Sequence, residues 1–382
     1  EQIEQNLKAG KEWALKLRAS GDVEKQIEIE DLIKGKRLIR ENGKDIVLMK
    51  SNGIPPYALA HAVDDTLMHT TIVVRGEEWY PSLAGHLEVF DALGLVPPKY
   101  AHTPVICKND NGNKRKLSKR KDPEADVRYF IDEGYPIESV KEYVLNLLNS
   151  DFEIWRTQNP YADINEFDFS ISKIGSNNPM FDMDKLNDIS KNVIAHMSAN
   201  QIYDKLVEWA DTHDKEFAEI TKANKDRLIK ILSIDRGGAK PRKDITKMCD
   251  VKPVFGYIID DIFYNMKKND FDFDGIDINL IKEVANHYAS IYNDSDEKGE
   301  WFTKIKQSIS EIGFCADMKE YRANPTAYKG SVADYTTIIR VLVTGKRNTP
   351  DLASILEILG KDEMIKRFNY ALSNIENKQN NR

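Results

Sequence analysis

The spacing of apolar residues divides the chain into a first part of mixed pattern and a second part that is mostly helical. Residues 1 to about 9 predict a short helix. Between residues 13 and 17, large apolar side chains alternate with smaller or charged ones, which is typical of a strand. Short apolar runs at residues 46–49 and 71–74 predict two further strands, and the β-branched residues of the second run favour a buried one.

A strand, a helix and a second strand are predicted in succession after residue 70. Apolar residues recur at helical spacing within residues 81–93, and Gly94 stands where a helix commonly ends. Residues 103–107 predict the second strand, and the turn sequence NDNG at residues 109–112 indicates a hairpin. This succession predicts a parallel α/β unit.

From Asp122 onwards the pattern predicts helices. Asp122 and Pro123 are suited to cap and open a helix that ends at Gly134. A second amphipathic helix is expected at residues 137–148, and the aromatic, polar residues 151–181 predict a connecting stretch.

The remainder of the chain is also predicted to be helical, which makes the fold class α/β followed by all-α. Asp182 is expected to cap one helix, Pro350 and Asp351 to open another that ends at Gly360, and residues 374–382 to fray. The predicted core positions are Val127, Phe130, Ile131, Ile137, Val140, Val144, Leu147, Leu148, Leu186, Ile189, Val193, Met197, Leu352, Ile355, Leu356 and Leu359.

Length and composition limit the class of protein. The 382 residues suggest two to four domains, and no apolar run approaches the roughly 20 residues that span a bilayer. Three widely separated cysteines exclude a disulfide framework and a CxxC zinc motif, and no histidine pair shows HxxxH or HExxH spacing. We therefore expect a cytoplasmic protein with no membrane segment, no signal peptide and no metal site.

A basic segment stands out against the net charge of −7. Residues 108–121 contain seven Lys or Arg and one Asp. A cationic hairpin loop beside a parallel sheet suits a triphosphate that loses pyrophosphate. A solvated basic loop explains the same charges and is the commoner origin of such a run.

Charged residues also flank the predicted strand at residues 71–74. Asp64 and Asp65 precede it, and Arg75 to Glu78 follow it, where ligands bind in α/β sheets. Arg75 could hold a carboxylate, or it could form an internal ion pair with an aspartate. Tyr57 fits either a core position or a ligand contact.

Several short motifs, taken in order, resemble those of the class I glutamyl-tRNA synthetases, and the resemblance covers nearly the whole chain. The motifs are VLMKSNGIPPY at 47–57, VDD at 63–65, VRGEE at 74–78, ALG at 92–94, HTP at 102–104, KLSKR at 116–120, FDMDKLN at 181–187, TG at 344–345, PDL at 350–352 and LGK at 359–361.

This resemblance implies three regions. Residues 1–125 would form the second half of a class I Rossmann catalytic domain with part of its insertion. Residues 126–200 would form a stem-contact region, and residues 201–382 a helical anticodon-binding domain.

The resemblance also implies roles for residues of the KLSKR loop, which corresponds to the family's KMSKS signature with Leu and Arg at its second and fifth positions. Lys116 and Lys119 would be catalytic, and Lys119 and Ser118 would contact ATP. Glu78 would lie near the nucleotide or the terminal adenosine of the tRNA.

The amino-acid pocket is implied in the same way. Arg75 would grip the side-chain carboxylate of L-glutamate, and Tyr57 would line the pocket. His61 stands where some members have Asn, and we assign it to the same pocket. A rigid guanidinium fork would reject the amide of glutamine, because donors would then face donors.

The implied reaction joins L-glutamate to tRNA(Glu) through a glutamyl-adenylate, with ATP as substrate and Mg²⁺ as charge partner. We expect a monomer. Charge and placement suggest Arg340, Lys346 and Arg347 as tRNA contacts, although a solvated surface is the commoner role for each.

The family's other signature, HxGH, does not occur in the sequence. We therefore expect a fragment that is inactive alone. One alternative is a tRNA-binding module without catalysis, and another is a relative of glutaminyl-tRNA synthetase. Glutamyl-queuosine synthetases lack an anticodon-binding domain and glutaminyl enzymes end in β-barrels, so a helical second half favours the glutamyl enzyme.

Overall fold

The computed structural model describes residues 1–376, which divide into two compact units. The first unit comprises Glu1–Ala125 and Lys141–Met183, and the second comprises Asp126–Val140 and the residues from Asp184 onwards. No described helix is both long enough and apolar enough to cross a bilayer.

A four-stranded sheet organises the first unit. Its strands are β2 (Gln26–Asp31), β3 (Gly35–Arg40), β5 (Ile72–Gly76) and β6 (Lys99–Thr103), in the order β3-β2-β6-β5. Strands β2 and β3 form an antiparallel hairpin, whereas β6 is parallel to both β2 and β5. Helix α3 (Leu83–Ala92) connects β5 to β6, and Gly94 follows it with a φ of 67°. The predicted parallel strand–helix–strand unit is confirmed.

The strand predicted at residues 103–107 is wrong in its placement. The structure ends β6 at Thr103, and Pro104, which has no N–H to donate to a ladder, follows directly. Cys107 instead begins a separate antiparallel hairpin of β7 (Cys107–Asp110) and β8 (Asn113–Lys116). Asn111 and Gly112 form its turn with φ values of 52° and 88°, as the sequence predicted.

Shorter elements complete the first unit. Helix α1 (Gln2–Lys8) and the antiparallel pair β1 (Leu15–Leu17) and β4 (Ile46–Met49) lie where the sequence predicted them. Helix α2 (Tyr57–Leu67) was not predicted.

Residues 151–181 are more regular than predicted. Residues 150–158 form α6 (Ser150–Gln158), whose first turn is capped by the Asn149 side chain. The helix buries only Phe152, so it leaves almost no apolar periodicity in the sequence.

Helices form nearly all of the second unit and share one apolar core. Helix α5 (Ile137–Leu148) crosses the division between the units. The other helices are α4 (Val127–Glu133), α7 (Met183–His196), α8 (Ala199–His213), α9 (Lys215–Ala223), α10 (Lys225–Ser233), α11 (Val251–Phe255), α12 (Asp260–Phe263), α13 (Ile278–Ile291), α14 (Lys298–Ser308), α15 (Met318–Ala323), α16 (Val332–Thr344) and α17 (Leu352–Glu376). Two-residue strands β9 (Phe314–Cys315) and β10 (Gly330–Ser331) pair in parallel.

The start of α4 corrects another prediction. Asp126, not Asp122, caps this helix by accepting a hydrogen bond from the Arg128 amide, and Gly134 ends it with a φ of 82°. Phe130 is buried, whereas Val127 and Ile131 are exposed, so only one of the three predicted core residues points inward.

The core prediction succeeds better near the C-terminus. Leu352, Ile355, Leu356 and Leu359 are all buried, and α17 breaks at Gly360, whose φ of 74° is the left-handed conformation that glycine favours. Because α17 continues to Glu376, the predicted fraying is wrong for residues 374–376, and residues 377–382 lie outside the described chain.

Candidate functional site

Arg75 lies at the centre of a polar cluster in the first unit. It occupies β5 opposite His102 of the parallel strand β6. Helix α2 contributes Tyr57, and helix α3 contributes His86. Parallel pairing of two strand ends therefore brings together side chains that are far apart in the sequence.

The guanidinium of Arg75 uses three of its five N–H groups on neutral acceptors. Its Nε donates to Nε2 of His102 at 3.0 Å. Its Nη1 donates to the Tyr57 hydroxyl at 3.2 Å and faces Nδ1 of His86 at 3.3 Å. Its Nη2 is buried and has no hydrogen-bond partner in the described chain. Two donors of this half-buried cation, both on the buried Nη2, thus stay unused.

The surroundings of this cation are aromatic. The guanidinium lies 4.9 Å from the Tyr100 ring centre and 5.8 Å from that of Trp79. Within residues 1–376 no carboxylate forms an ion pair with Arg75. Because a desolvated charge without a counter-charge is costly, this arrangement is suited to an anionic ligand.

Arg75 also determines which ring nitrogens of its histidine neighbours carry protons. Arginine only donates, so Nε2 of His102 and Nδ1 of His86 must both be unprotonated acceptors. Burial, and then the charge of Arg75, lower the pKa of His86 to about 4. Burial also lowers the pKa of His102, against the opposing effect of Asp31. Both rings are therefore neutral at physiological pH.

His61 joins the cluster from α2. Its Nδ1 contacts the Asp65 carboxylate, and its Nε2 lies 2.8 Å from the Tyr100 hydroxyl. Burial lowers the pKa of His61, although Asp65 opposes the shift. In the neutral ring Nε2 accepts from Tyr100, so both nitrogens of His61 are occupied. The ring stacks on Tyr57 with centres 5.2 Å apart.

The KLSKR residues begin with Lys116, the last residue of β8, and continue as a loop that is anchored by Arg115 and Asp122. Arg115 forks onto Asp122 with distances of 2.6 and 2.7 Å, and Asp122 also accepts from the Ser118 amide at 2.9 Å. The hydrogen bonds from Arg115 lower the pKa of Asp122. This carboxylate therefore ties the two ends of the loop together, which explains why it does not cap α4.

A cavity of about 540 Å³ lies under this loop. Lys116 pairs with Glu78 across it at 2.7 Å. Lys119 and Arg120 are exposed and form no ion pair within the described residues. The cavity is lined by Gly76, Glu78, Pro104, Val105, Ile106, Lys116, Leu117, Ser118, Lys119 and Ala125. Its two lysines, of which Lys116 is paired with Glu78, suit a polyphosphate.

The three basic residues predicted to contact tRNA lie near one another in the second unit, in different settings. Arg340 is directed inward and donates to the Pro350 carbonyl at 2.7 Å, and burial lowers its pKa. Lys346 donates to the Pro253 carbonyl. Arg347 pairs with Asp274 at 3.1 Å. Lys346 and Arg347 line a cavity of about 510 Å³, and the tRNA contacts stay predictions.

The structure thus groups the predicted site residues into three sets. Tyr57, His61 and Arg75 meet in one cluster, Glu78, Lys116, Ser118 and Lys119 line one cavity, and Arg340, Lys346 and Arg347 belong to the second unit. The described residues contain no group of three or more His, Cys, Asp or Glu side chains suited to a metal ion.

Sequence reasoning missed four members of the Arg75 cluster, namely Asp31, His86, Tyr100 and His102. The HTP motif contained His102, and the predicted parallel pairing could have placed it beside Arg75. No pattern in the sequence indicated Asp31, because the β2–β3 hairpin that positions it was not predicted.

Two family models match parts of this chain. Residues 1–188 match the family "tRNA synthetases class I (E and Q), catalytic domain", and residues 327–372 match "Anticodon binding domain". The glutamate–tRNA ligase of Acetivibrio thermocellus is 42% identical over 368 residues, and that of Clostridium perfringens strain SM101 is 40% identical over 369. Each alignment covers 96% of this chain and 67% of the relative.

A solved structure gives the same answer for the fold. The glutamate–tRNA ligase of Elizabethkingia meningosepticum, crystallised with its amino acid, matches with a TM-score of 0.66 at 22% identity. The match covers 98% of this chain and 71% of that one. The predicted fold class is confirmed, and the chain belongs to the glutamate–tRNA ligases, a family of class I aminoacyl-tRNA synthetases.

Proposed function

We propose that this chain acts in the ATP-dependent ligation of L-glutamate to tRNA(Glu). In this reaction the α-carboxylate of glutamate attacks the α-phosphorus of ATP, which releases pyrophosphate and forms glutamyl-adenylate. A ribose hydroxyl of the terminal tRNA adenosine then attacks the glutamyl carbonyl and displaces AMP. The observation that carries the proposal is Arg75, a half-buried cation whose buried Nη2 has no hydrogen-bond partner in the described chain and whose hydrogen-bond partners are neutral.

The hydrogen-bonding character of the pocket favours a carboxylate over a carboxamide. The acceptors around Arg75 are already engaged, so the free groups are donors. They are the two N–H bonds of Nη2 and the hydroxyl proton of Tyr57, whose oxygen accepts from Nη1. The amide of glutamine would direct its NH₂ at one of these donors and leave it unpaired, which weakens binding.

The grip on the ligand is proposed to use Nη2 and Tyr57 together. Bidentate binding of the ligand carboxylate by Nη1 and Nη2 would require the 3.2 Å hydrogen bond between Nη1 and Tyr57 to break. If the tyrosine stays in place, its hydroxyl donates to one carboxylate oxygen and Nη2 donates to the other. His61 has no free nitrogen, so we assign it to holding Tyr57 rather than to hydrogen-bonding the ligand.

Binding of the amino acid to the chain as it stands tests this pocket. Titration with glutamate and with glutamine, followed by NMR, should show a preference for glutamate of at least about 1.4 kcal/mol, which is tenfold. Equal affinity for the two amino acids would show that Arg75 does not select a carboxylate.

The nucleotide is proposed to bind beneath the KLSKR loop. Lys119 is free to follow charge on the departing pyrophosphate, and Lys116 becomes available when a phosphate replaces Glu78 as its partner. Ser118 and Glu78 line the same cavity. Mg²⁺ supplies charge neutralisation when it accompanies ATP, but the described residues do not form a cage for it, so we assign no residue to the metal.

The helical second unit is proposed to bind the tRNA, with Arg340, Lys346 and Arg347 as candidate contacts. The match of residues 327–372 to an anticodon-binding family supports this role. Affinity for tRNA should fall as the salt concentration rises, because phosphate contacts dominate such binding. An affinity that does not change with ionic strength would argue against tRNA as the partner. The helical character of residues 184–376 favours the glutamyl over the glutaminyl alternative. The monomeric state and the cytoplasmic location stay predictions.

We further propose that the chain alone does not form the adenylate, because its sequence contains no HxGH. tRNA-dependent exchange between ATP and labelled pyrophosphate decides this point. Clear exchange would contradict the proposal. If glutamate selectivity is also absent while tRNA still binds, the alternative of a tRNA-binding module is favoured.

A further inference from the structure

The buried pair of Asp31 and His102 lies behind Arg75 and away from any expected ligand contact. Asp31 is the last residue of β2, and both side chains are almost fully buried, at 1% and 0% exposure. Nδ1 of His102 lies 2.6 Å from Oδ2 of Asp31, and Nε2 of the same ring accepts from Nε of Arg75 at 3.0 Å. The three side chains form a chain of hydrogen bonds that ends at the guanidinium.

The hydrogen bonds from Arg75 through His102 to Asp31 can run in one direction only. Arg75 can only donate, so Nε2 of His102 must accept, and the neutral ring then carries its proton on Nδ1. Asp31 must accept that proton. Burial alone would raise the pKa of Asp31, but hydrogen bonds from His102, Lys34 and Ile33 outweigh this effect and lower it. The carboxylate is therefore ionised at neutral pH, which is the state that the direction requires.

We propose that Asp31 and His102 are positioning residues for glutamate selection: by occupying Nε of Arg75, they orient its guanidinium so that Nη2 and Tyr57 alone face the ligand. This inference rests on the proposed function. Without an acceptor at Nε, only the longer contacts of Nη1 with Tyr57 and His86 hold the guanidinium, and Nη2 loses part of its fixed direction.

The two oxygens of Asp31 share only a 3.4 Å contact of Oδ1 with the His102 amide and otherwise have separate partners, which makes a selective test possible. Oδ1 accepts from the amides of Ile33 and Lys34, both at 2.9 Å, and holds the β2–β3 turn. Oδ2 accepts from the amide of His102 at 3.1 Å and from its ring. Asp31→Asn can keep the turn through its carbonyl oxygen, while its NH₂ replaces Oδ2 and faces two donors.

In Asp31→Asn, His102 can resolve this conflict only by moving its proton to Nε2, where it then opposes Nε–H of Arg75. The substitution therefore places two donors, Nε2–H of His102 and Nε–H of Arg75, opposite each other. Gly35→Ala is the matched control, because Gly35 belongs to the same turn with a φ of 69° and a Cβ there meets no atom within 4 Å. It strains the turn without changing the direction of the hydrogen bonds.

The first arm of the experiment compares ligand selectivity in the wild type and in the two variants of the full chain. Titration with glutamate and glutamine should show that Asp31→Asn reduces the preference for glutamate at least tenfold, whereas Gly35→Ala lowers the melting temperature and keeps the preference. Wild-type selectivity in Asp31→Asn, or an equal loss in Gly35→Ala, would overturn the proposal.

The second arm is nitrogen-15 NMR of the His102 ring in the wild-type chain. It requires neither ligand binding nor a folded variant. In the wild type, His102 should be a neutral Nδ1–H ring between pH 7 and 8, with a slowly exchanging Nε–H signal from Arg75. An Nε2–H or doubly protonated ring would overturn the positioning role. If this arm succeeds and glutamate does not bind, the proposed function fails while the hydrogen-bond chain stands.

Discussion

Two arginines, a half-buried one in the first unit and a fully buried one in the second, show how differently the same side chain can be used. Arg367 in α17 is fully buried, and each of its five N–H groups has an acceptor. These acceptors are Glu363, Asp260 and the carbonyls of Tyr257, Ile258 and Val343. Arg75 has three neutral acceptors, no carboxylate and an unused Nη2.

The difference indicates which arginine serves the fold and which awaits a ligand. The charge of Arg367 is neutralised by two carboxylates, so the side chain is complete without any other molecule. Arg75 is held in place, yet its charge is uncompensated. A guanidinium that is oriented but not neutralised has binding free energy left for an anion.

The largest contrast should come from removing Arg367. Arg367→Met removes the buried cation from two carboxylates and three carbonyls, although Arg227 still pairs with Asp260 and the Tyr264 hydroxyl still donates to Glu363. It should lower the free energy of unfolding of the helical unit by about 3–5 kcal/mol. Urea denaturation followed by far-UV circular dichroism measures the change. Lys366→Met, at the exposed neighbouring position, is the control and should have little effect. A loss below about 1 kcal/mol in Arg367→Met would refute a structural role.

Acid should weaken the Arg75 cluster before it affects the surroundings of Arg367. His86 has a folded pKa of about 4 against an ordinary 6.5, so the unfolded chain binds more protons in this window and stability falls as pH falls from 6.5 to 4. This lowering of the His86 pKa corresponds to up to about 3 kcal/mol. The lowered pKa values of His61 and His102 act in the same direction.

Hydrogen exchange followed by mass spectrometry, corrected for intrinsic rates, measures this effect. Peptides from β5 and β6 should lose protection between pH 6.5 and 5, while peptides from α17 should not, and His86→Phe should reduce the loss. Equal losses in both units would contradict the assignment of neutral histidines around Arg75.

Removing Arg75 should affect binding far more than stability. Arg75→Met loses three hydrogen bonds to neutral acceptors but also removes a half-buried charge that has no ion-pair partner in the described chain, so the free energy of unfolding should stay within about 1 kcal/mol of the wild type. Glutamate binding should be lost in calorimetric titration. Arg37→Met, on the exposed side of β3, is the control. Unfolding of the Arg75→Met chain would place this residue with Arg367 as a structural arginine.

The smallest effect is expected at the Lys116–Glu78 pair, which is half exposed on both sides. Glu78→Gln should change the free energy of unfolding by no more than about 1 kcal/mol. Tripolyphosphate should bind severalfold more tightly, because Lys116 no longer has to exchange partners, and the gain should shrink as salt rises. Unchanged affinity at low salt would remove Lys116 from the proposed nucleotide site.

The sequence predicted features that depend on neighbouring residues. The breaks at Gly134 and Gly360, the turn at Asn111 and Gly112, and the buried face of residues 352–359 all follow from backbone preference or helical spacing. The order of short motifs identified the family, because independent motifs rarely occur together by chance.

Predictions failed where a distant partner decided the outcome. Asp122 and Asp126 are both suited to cap α4, but Arg115 engages Asp122, which leaves the cap to Asp126. Helix α6 was missed because it buries only Phe152. Strand β2 was missed as well, and with it the residue that positions His102.

The sequence by itself determined the helices with clear caps, the tight turns, the family and the choice of Arg75 as a candidate ligand-binding residue. Only the tertiary structure decided that Arg75 differs from Arg367, since hydrogen-bond partners from β2, β6, α2 and α3 determine which of its donors remain free. Asp31 and His102 stand 71 positions apart, and Arg75 and His102 stand 27 apart. Such pairs form only when the ends of parallel strands lie side by side. No local pattern of residues predicts which strand ends do so.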